Sequence, residues 1–264
     1  MRISIIGAGE MGGAFAMGLL KGTIFQPSEI TVSNRHEDKL SPFARLGAGV
    51  TTDNRAAADG ADIVAIVVKP DVVYTVVEEL KPILDYSRQV IVNMAASISI
   101  AELEQWFDKD GEVPGIFQVL PNIGIEERAS MSFITPNTKG SADSAKVQSI
   151  FDDLGRTMLV NERLLNSGNA LAGCGIAYAM RYVRAAAEAG VELGFSGKDA
   201  TGIILQTMEG AVKLLKASGN HPEVEIDKVT TPGGMTIRGL NTMEKYGFSN
   251  AVIEGIKAPL KPKA

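Results

Sequence analysis

The chain is poor in the residues that most often carry covalent staples, metals or acid–base chemistry. It has one cysteine, Cys174, and two histidines, His36 and His221, in 264 residues. A single cysteine excludes a disulfide framework within the chain and a cysteine-ligated metal site. No two histidines or carboxylates stand at metal-ligand spacing, so no metal is expected. Positive charge is not in excess: a formal net charge of −5 argues against nucleic acid as the main partner. That balance still leaves room for a local basic site facing an anionic cofactor. No apolar run approaches the roughly 20 residues that cross a bilayer, so no membrane is expected. The first β-rich run begins at residue 2, which leaves no leader ahead of it, and the expected location is cytoplasmic. Apolar residues at 45% and charged residues at 22% are ordinary for a globular protein. The length suits one large domain or two smaller ones.

The first 160 residues alternate between two textures. Short β-rich runs fall at residues 2–6, 29–33, 63–68, 89–93, 115–119, 131–135 and 157–160. Helical patterns lie between most of them, at residues 12–21, 38–46, 71–84, 100–107 and 142–154. Ser99 with Glu102 reads as a capping box for the helix at 100–107. Strands alternating with helices predict a parallel sheet covered on both faces. After residue 161 no strand is expected. Residues 161–193, 200–215, 236–246 and 248–257 read as helices, with Gly247 separating the last two. The tail carrying Pro259, Lys261, Pro262 and Lys263 is expected to fray. The predicted fold is therefore α/β: a doubly wound sheet domain of Rossmann type at residues 1–160, then an all-helical domain at 161–264. The helices are apolar on more than one face. Either the first domain or a second subunit covers the surplus, and a homodimer is expected.

The most specific local pattern is Gly7-Ala8-Gly9-Glu10-Met11-Gly12, directly after the apolar run Ile3-Ser4-Ile5-Ile6. Strand, glycine turn and helix in that order form a dinucleotide-binding fingerprint. Gly7 permits the turn, Gly9 lets backbone approach a pyrophosphate, and Gly12 lets the helix pack on the strand. The helix start then offers free N–H groups and partial positive charge to the phosphates. The second strand ends in Val32-Ser33-Asn34-Arg35-His36, with no acid at its tip. An acid there would accept from a ribose 2′-OH and repel a 2′-phosphate. Arg35 suits the phosphate instead, with Ser33, Asn34 and Lys39 close in sequence. NADPH is favoured and NADH stays open, since Arg35 also reads as a solvated loop residue.

Catalytic groups are scarce. His36 falls at the cofactor rim, His221 in a turn, and Cys174 among glycines at a helix-packing position. An imine protonated at nitrogen accepts hydride without a strong acid, and mainly needs orientation over the nicotinamide. Thr230-Thr231-Pro232-Gly233-Gly234-Met235-Thr236 offers hydroxyls and free N–H groups before a helix, a place for a carboxylate. The same residues also read as an ordinary interhelical loop with a threonine cap.

These residues carry a resemblance. The chain resembles the pyrroline-5-carboxylate reductase family along nearly its whole length, and is densest in likeness from His221-Pro222 through Thr231-Pro232-Gly233-Gly234-Met235-Thr236-Ile237-Arg238-Gly239-Leu240. It also shares Val68-Lys69-Pro70, Ala95-Ala96 and the stretch from Asn169 to Tyr178. The resemblance implies NADPH-dependent reduction of 1-pyrroline-5-carboxylate, an imine carboxylate, to L-proline, the last step of proline biosynthesis. It implies that Val68, Lys69, Pro70, Ala95 and Ala96 line the nicotinamide side and that Asn54 meets the adenosine end. Thr231, Gly233, Gly234, Met235 and Thr236 would hold the substrate carboxylate, with Thr236 facing the ring nitrogen as proton donor or orienter. It further implies helical domains interlocked in dimers, with larger rings in some members. The chain departs from the family pattern at Ser97, Ile123, Gly124, Cys174, Ile176, Thr231 and Met235. Ile123 removes a hydroxyl and Met235 enlarges a side chain. Two other readings follow: a reductase of another cyclic imine acid, and a nucleotide-binding paralog without turnover.

Overall fold

The computed structural model describes residues 1–260. The strands are β1 (Ile3–Ile6), β2 (Ile30–Ser33), β3 (Gly49–Thr51), β4 (Ile63–Ile66), β5 (Val90–Asn93), β6 (Gly115–Leu120), β7 (Ser130–Pro136) and β8 (Gly155–Leu159). The α-helices are α1 (Glu10–Lys21), α2 (Ser41–Arg45), α3 (Asn54–Ala58), α4 (Pro70–Leu80), α5 (Ile100–Phe107) and α6 (Ser144–Asp152). They continue with α7 (Glu162–Gly168), α8 (Gly175–Glu192), α9 (Gly197–Ser218), α10 (Pro222–Lys228), α11 (Met235–Lys245) and α12 (Phe248–Lys257). Ala258–Leu260 forms a 3-10 turn, and Lys261, Pro262 and Lys263 of the expected frayed tail lie outside the described residues.

All eight strands form one sheet in the order β3-β2-β1-β4-β5-β6-β7-β8. The chain winds outward from β1 to β3, then returns to the other side of β1 at β4. The order therefore reverses between β1 and β4. Ligands of such sheets bind outside the carboxyl ends of the strands at that reversal. β1, β4 and β5 are buried at every position, as strands covered on both faces must be. Their alternate residues serve two cores. Ile63 and Ala65 pack with Phe15, Leu19 and Phe151 on one face. Val64 and Ile66 pack with Val77, Leu80, Leu103 and Phe107 on the other. The stacked rings of Phe15 and Phe151, centroids 5.4 Å apart, join α1 to α6.

The parallel expectation breaks at one place. β6 and β7 pair antiparallel, with Leu120 opposite Phe133 and Phe117 opposite Pro136. Their connection is one short 3-10 turn, Ile123–Glu127, closed by Arg128 at φ 56°. A parallel return needs a crossover of a dozen or more residues, which this stretch lacks. The capping box is present as expected: Ser99 Oγ accepts from the Glu102 N–H at 3.1 Å and the Glu102 carboxylate accepts from the Ser99 N–H at 2.8 Å.

Contacts divide the chain into two compact units, Met1–Ile176 and Ala177–Ala264. The first runs past residue 160 because Leu165 of α7 packs with Leu120 and Phe133. The expected helix at 161–193 is interrupted by a π-helical turn, Asn169–Gly173. Its wider loop shows in the Cys174 N–H donating to the Asn169 carbonyl at 2.9 Å, five residues back. Gly168 just before it lies flat on the Phe133 ring, where a Cβ would come within 2.7 Å of ring carbons. Within the second unit, Ala187 and Ala200 are the buried apolar residues among those described. Leu193, Met235 and Tyr246 are 80%, 83% and 81% exposed, so this unit has almost no core of its own.

Candidate nucleotide site

The turn after β1 is built by backbone chemistry. Gly7 sits at φ +107°, and its N–H donates to the Ser33 carbonyl at 2.8 Å. A Cβ at Gly7 would meet the Val67 carbonyl oxygen at 2.5 Å. A Cβ at Gly12 would collide with the Gly7 carbonyl oxygen, because α1 crosses directly over the turn. Gly9 differs from both. It has extended backbone, φ −74° and ψ −167°, and nothing lies within 4 Å of where its Cβ would be. The fold does not need a glycine there, so the space above Gly9 is available to a ligand. Gly9 is also the N-cap of α1 and makes no side-chain cap, leaving first-turn N–H groups for an anion.

A cavity of about 520 Å³ opens at this point, at the β1/β4 reversal. Of the sequence-predicted residues, Gly7, Gly9, Glu10, Met11, Asn34, Arg35, Asn54, Val68 and Lys69 line it. Lys39 and Arg35 put two positive charges on its wall, and His36 lines it as well. Ala8 and Gly12 are buried behind the turn and shape it from below. Pro70 is the first residue of α4, with Lys69 as its N-cap. Ala95 and Ala96 are not on the wall of this cavity; Met94, one residue earlier, is, as are Val67, Val72 and Val76. Sequence reading missed these four because apolar residues at strand ends and on helices look like core.

Several polar groups here are already engaged. Ser33, expected to reach a phosphate, is fully buried, and its hydroxyl donates to Asn54 Oδ1 at 2.7 Å. Asn54 Nδ2 in turn donates to the Glu79 carboxylate at 2.8 Å. The Asn34 amide ties the turn together, accepting from the Ala8 N–H at 3.4 Å and donating to the His36 carbonyl at 3.0 Å. Arg35 and Lys39 remain exposed. Ile123 packs against the core cluster beneath α1.

The second predicted cluster lies in the helical unit. Thr231-Pro232-Gly233-Gly234 is a tight turn: the Gly234 N–H donates to the Thr231 carbonyl at 3.0 Å and Gly233 takes φ +68°. Proline at the second position and a left-handed glycine at the third are the type II pattern. The N-cap of α11 is Gly234, not a threonine, and it makes no side-chain cap. Thr231, Met235 and Thr236 are all exposed at this helix start. Ahead of the turn, His221 caps α10, its Nδ1 accepting from the Glu223 N–H at 3.3 Å. Lys228 and then Asn220 hold the Glu225 carboxyl down at about 2, so it stays ionised and braces α10. Among the described residues no group of acidic, histidine and cysteine side chains could hold a metal.

The family described as "Pyrroline-5-carboxylate reductase dimerisation" matches residues 162–263. The family described as "NADP oxidoreductase coenzyme F420-dependent" matches residues 2–97. Pyrroline-5-carboxylate reductase of Aquifex aeolicus is 35% identical over 97% of this chain and 94% of its own. Pyrroline-5-carboxylate reductase 1 of Dictyostelium discoideum is 36% identical over 96% of this chain, which spans 48% of that protein's length. The crystal structure of Plasmodium falciparum pyrroline carboxylate reductase with NADP bound superposes with a TM-score of 0.88 at 25% identity, over 98% of this chain and 95% of that one.

Proposed function

The chain belongs to the pyrroline-5-carboxylate reductase family, and from that premise we propose that it reduces 1-pyrroline-5-carboxylate to L-proline with NADPH. The observation that carries the reading is a likeness covering 97% of the chain, so that it includes both the glycine turn and the Thr231 turn. A dinucleotide fits the residues present: Gly9 leaves open space over free helix N–H groups, and Arg35 with Lys39 puts positive charge on the cavity wall. Bound there, NADPH supplies the hydride that turns the imine carbon tetrahedral, while the ring nitrogen keeps its proton. Gly7, Gly9 and the start of α1 hold the pyrophosphate. Arg35 pairs with the 2′-phosphate, and Asn54, held by Ser33 and Glu79, faces the adenosine end. The Thr231 turn and the uncapped start of α11 take the substrate carboxylate, and Thr236 orients the ring nitrogen. No strong acid is required of the protein, because the substrate arrives as an electrophilic iminium.

The direct test is absorbance at 340 nm with the purified chain, NADPH and 1-pyrroline-5-carboxylate. Steady oxidation above background is expected, and none with NADPH or NADH would overturn the proposal. A six-membered cyclic imine acid in the same assay tests a second reading, motivated by the departures from the family pattern at Ile123 and Met235. Faster turnover of the larger ring would assign the chain to that substrate. Arg35→Ala is expected to raise the Kd for NADPH about 10- to 100-fold, the worth of charge-assisted hydrogen bonds to a phosphate, and to leave NADH binding unchanged. Equal effects on both cofactors, read by fluorescence titration, would discard the 2′-phosphate role.

The helical unit exposes too much apolar surface to stand uncovered, and a second copy of the chain is the occupant that the dimerisation family implies. Light scattering should give twice the chain mass or, if dimers assemble further, an even multiple.

A further inference from the structure

The loop after β5 carries strain that the nucleotide cavity does not explain. Ser97 sits at φ 67°, in the left-handed region where a side chain is unfavourable. Its surroundings force that conformation. Asn93 and Gln118 are register partners across β5 and β6, and both are fully buried. Asn93 Nδ2 donates to Gln118 Oε1 at 2.7 Å and to the Ala95 carbonyl at 3.1 Å. Gln118 Nε2 donates to the same carbonyl at 2.6 Å, and the Ala95 N–H donates to Asn93 Oδ1 at 3.4 Å. Both backbone groups of Ala95 are thus clamped by buried side chains. Three residues on, Ile98 and Ile100 must return to the core, with Ser99 capping α5 between them. Ser97 absorbs the change of direction.

A cavity of about 410 Å³ opens beside this loop, within the first unit, distinct in its lining from the one at the glycine turn. Ser97, Gln118, Leu120, Glu162 and Asn166 are on its wall. The Glu162 carboxylate is engaged by the Ile100 N–H at 2.6 Å, and the Gln118 amide by the clamp. Among the described residues, the Ser97 hydroxyl has no hydrogen-bond partner, and the side chain is exposed. A residue that costs the fold stability, on a clamped loop, with a free hydroxyl facing a cavity, is what a ligand contact looks like before the ligand arrives.

We propose that the Ser97 hydroxyl donates a hydrogen bond to a carbonyl-type oxygen of the ligand bound beside the Ala95–Ala96–Ser97 loop. That oxygen belongs to the carboxamide of the cofactor. The inference rests on the reductase reading above. Glycine would suit the backbone better, so serine is kept here for its side chain.

Two variants of the full chain separate side chain from backbone. Ser97→Ala keeps the strain and removes the hydroxyl. It is expected to leave Tm unchanged and to raise the KM for NADPH about tenfold with kcat little altered, the worth of one hydrogen bond to a polar ligand. A rise confined to the KM for the imine would overturn the proposal. Ser97→Gly relieves the strain, and should show the same KM defect while Tm rises by about 2 °C. Unchanged KM values in Ser97→Ala, or undiminished kcat/KM in Ser97→Gly, would overturn the proposal. So would a fall in Tm and kcat together in Ser97→Ala, which marks a structural role. Absence of turnover in the unaltered chain would count against the reductase reading instead.

Discussion

Gly9→Ala is expected to raise the Kd for NADPH about 100-fold or more while Tm stays within a degree or two. The added methyl meets no protein atom within 4 Å, and φ −74° suits alanine, so the fold has no reason to object. The methyl instead occupies the space that a pyrophosphate must enter to reach the first-turn N–H groups of α1. Pushing the phosphates away forfeits one or two charge-assisted hydrogen bonds, each about 1.5–3 kcal/mol, which sets the fold-change. Gly12→Ala is the contrasting variant. Its methyl collides with the Gly7 carbonyl inside the fold, so it should lose stability and cofactor binding together. Thermal unfolding and fluorescence titration on both proteins check the pair. A Gly9→Ala protein that binds NADPH normally would move the phosphates away from this turn.

Thr236→Ala is expected to lower kcat about 100-fold with NADPH affinity unchanged. Thr236 is the second residue of α11, exposed, and its hydroxyl has no partner among the described residues. It stands beside the uncapped N–H groups after Gly234, where an anion is favoured. A carboxylate anchored on those groups would bring the ring nitrogen to the Thr236 hydroxyl. Loss of the group that orients the reacting nitrogen, with a misplacement of about 1 Å, costs about 10²-fold in rate. Thr236→Ser keeps the hydroxyl and should recover most of the activity. Equal loss of kcat and of NADPH binding in Thr236→Ala would show that the residue only supports the helix. Stopped-flow or steady-state rates at saturating NADPH make the measurement.

Much of the fold was legible because it rests on short-range chemistry. Ile3-Ser4-Ile5-Ile6 followed by three spaced glycines encodes strand, turn and helix within a dozen residues. Ser99 and Glu102 announce the start of α5 by themselves. Other elements gave no such signal. β3 is three residues on the sheet edge, and α3 is five residues started by Asp53, whose carboxylate accepts from the Arg55 and Ala56 N–H groups. Neither is long enough to show a period. The seven residues of α10 hid behind His221-Pro222, which also reads as a turn. In the site, Arg35 was legible from its place after β2, and Lys69 from the resemblance to the family. Ser33 was misjudged, because which face of β2 ends inward at its last residue depends on pairing with β1 and on Asn54.

The sequence by itself determined the class of the protein: an α/β nucleotide-binding half, a helical half, a glycine turn suited to phosphates and no acid at the tip of the second strand. These follow from local sterics, helix-end electrostatics and the period of apolar residues, all of which act over a few neighbours. The tertiary structure supplies the clearances behind the glycine roles read from the sequence. Gly12 makes room for its own fold, and Gly9 leaves room for something else. Only it turned β7 antiparallel, buried the Ser33 hydroxyl, and clamped Ala95 between Asn93 and Gln118 so that Ser97 takes the strain. Those outcomes depend on atoms brought together from 13 to 25 residues apart, where hydrogen bonding and packing across the sheet override any preference the local chain expresses.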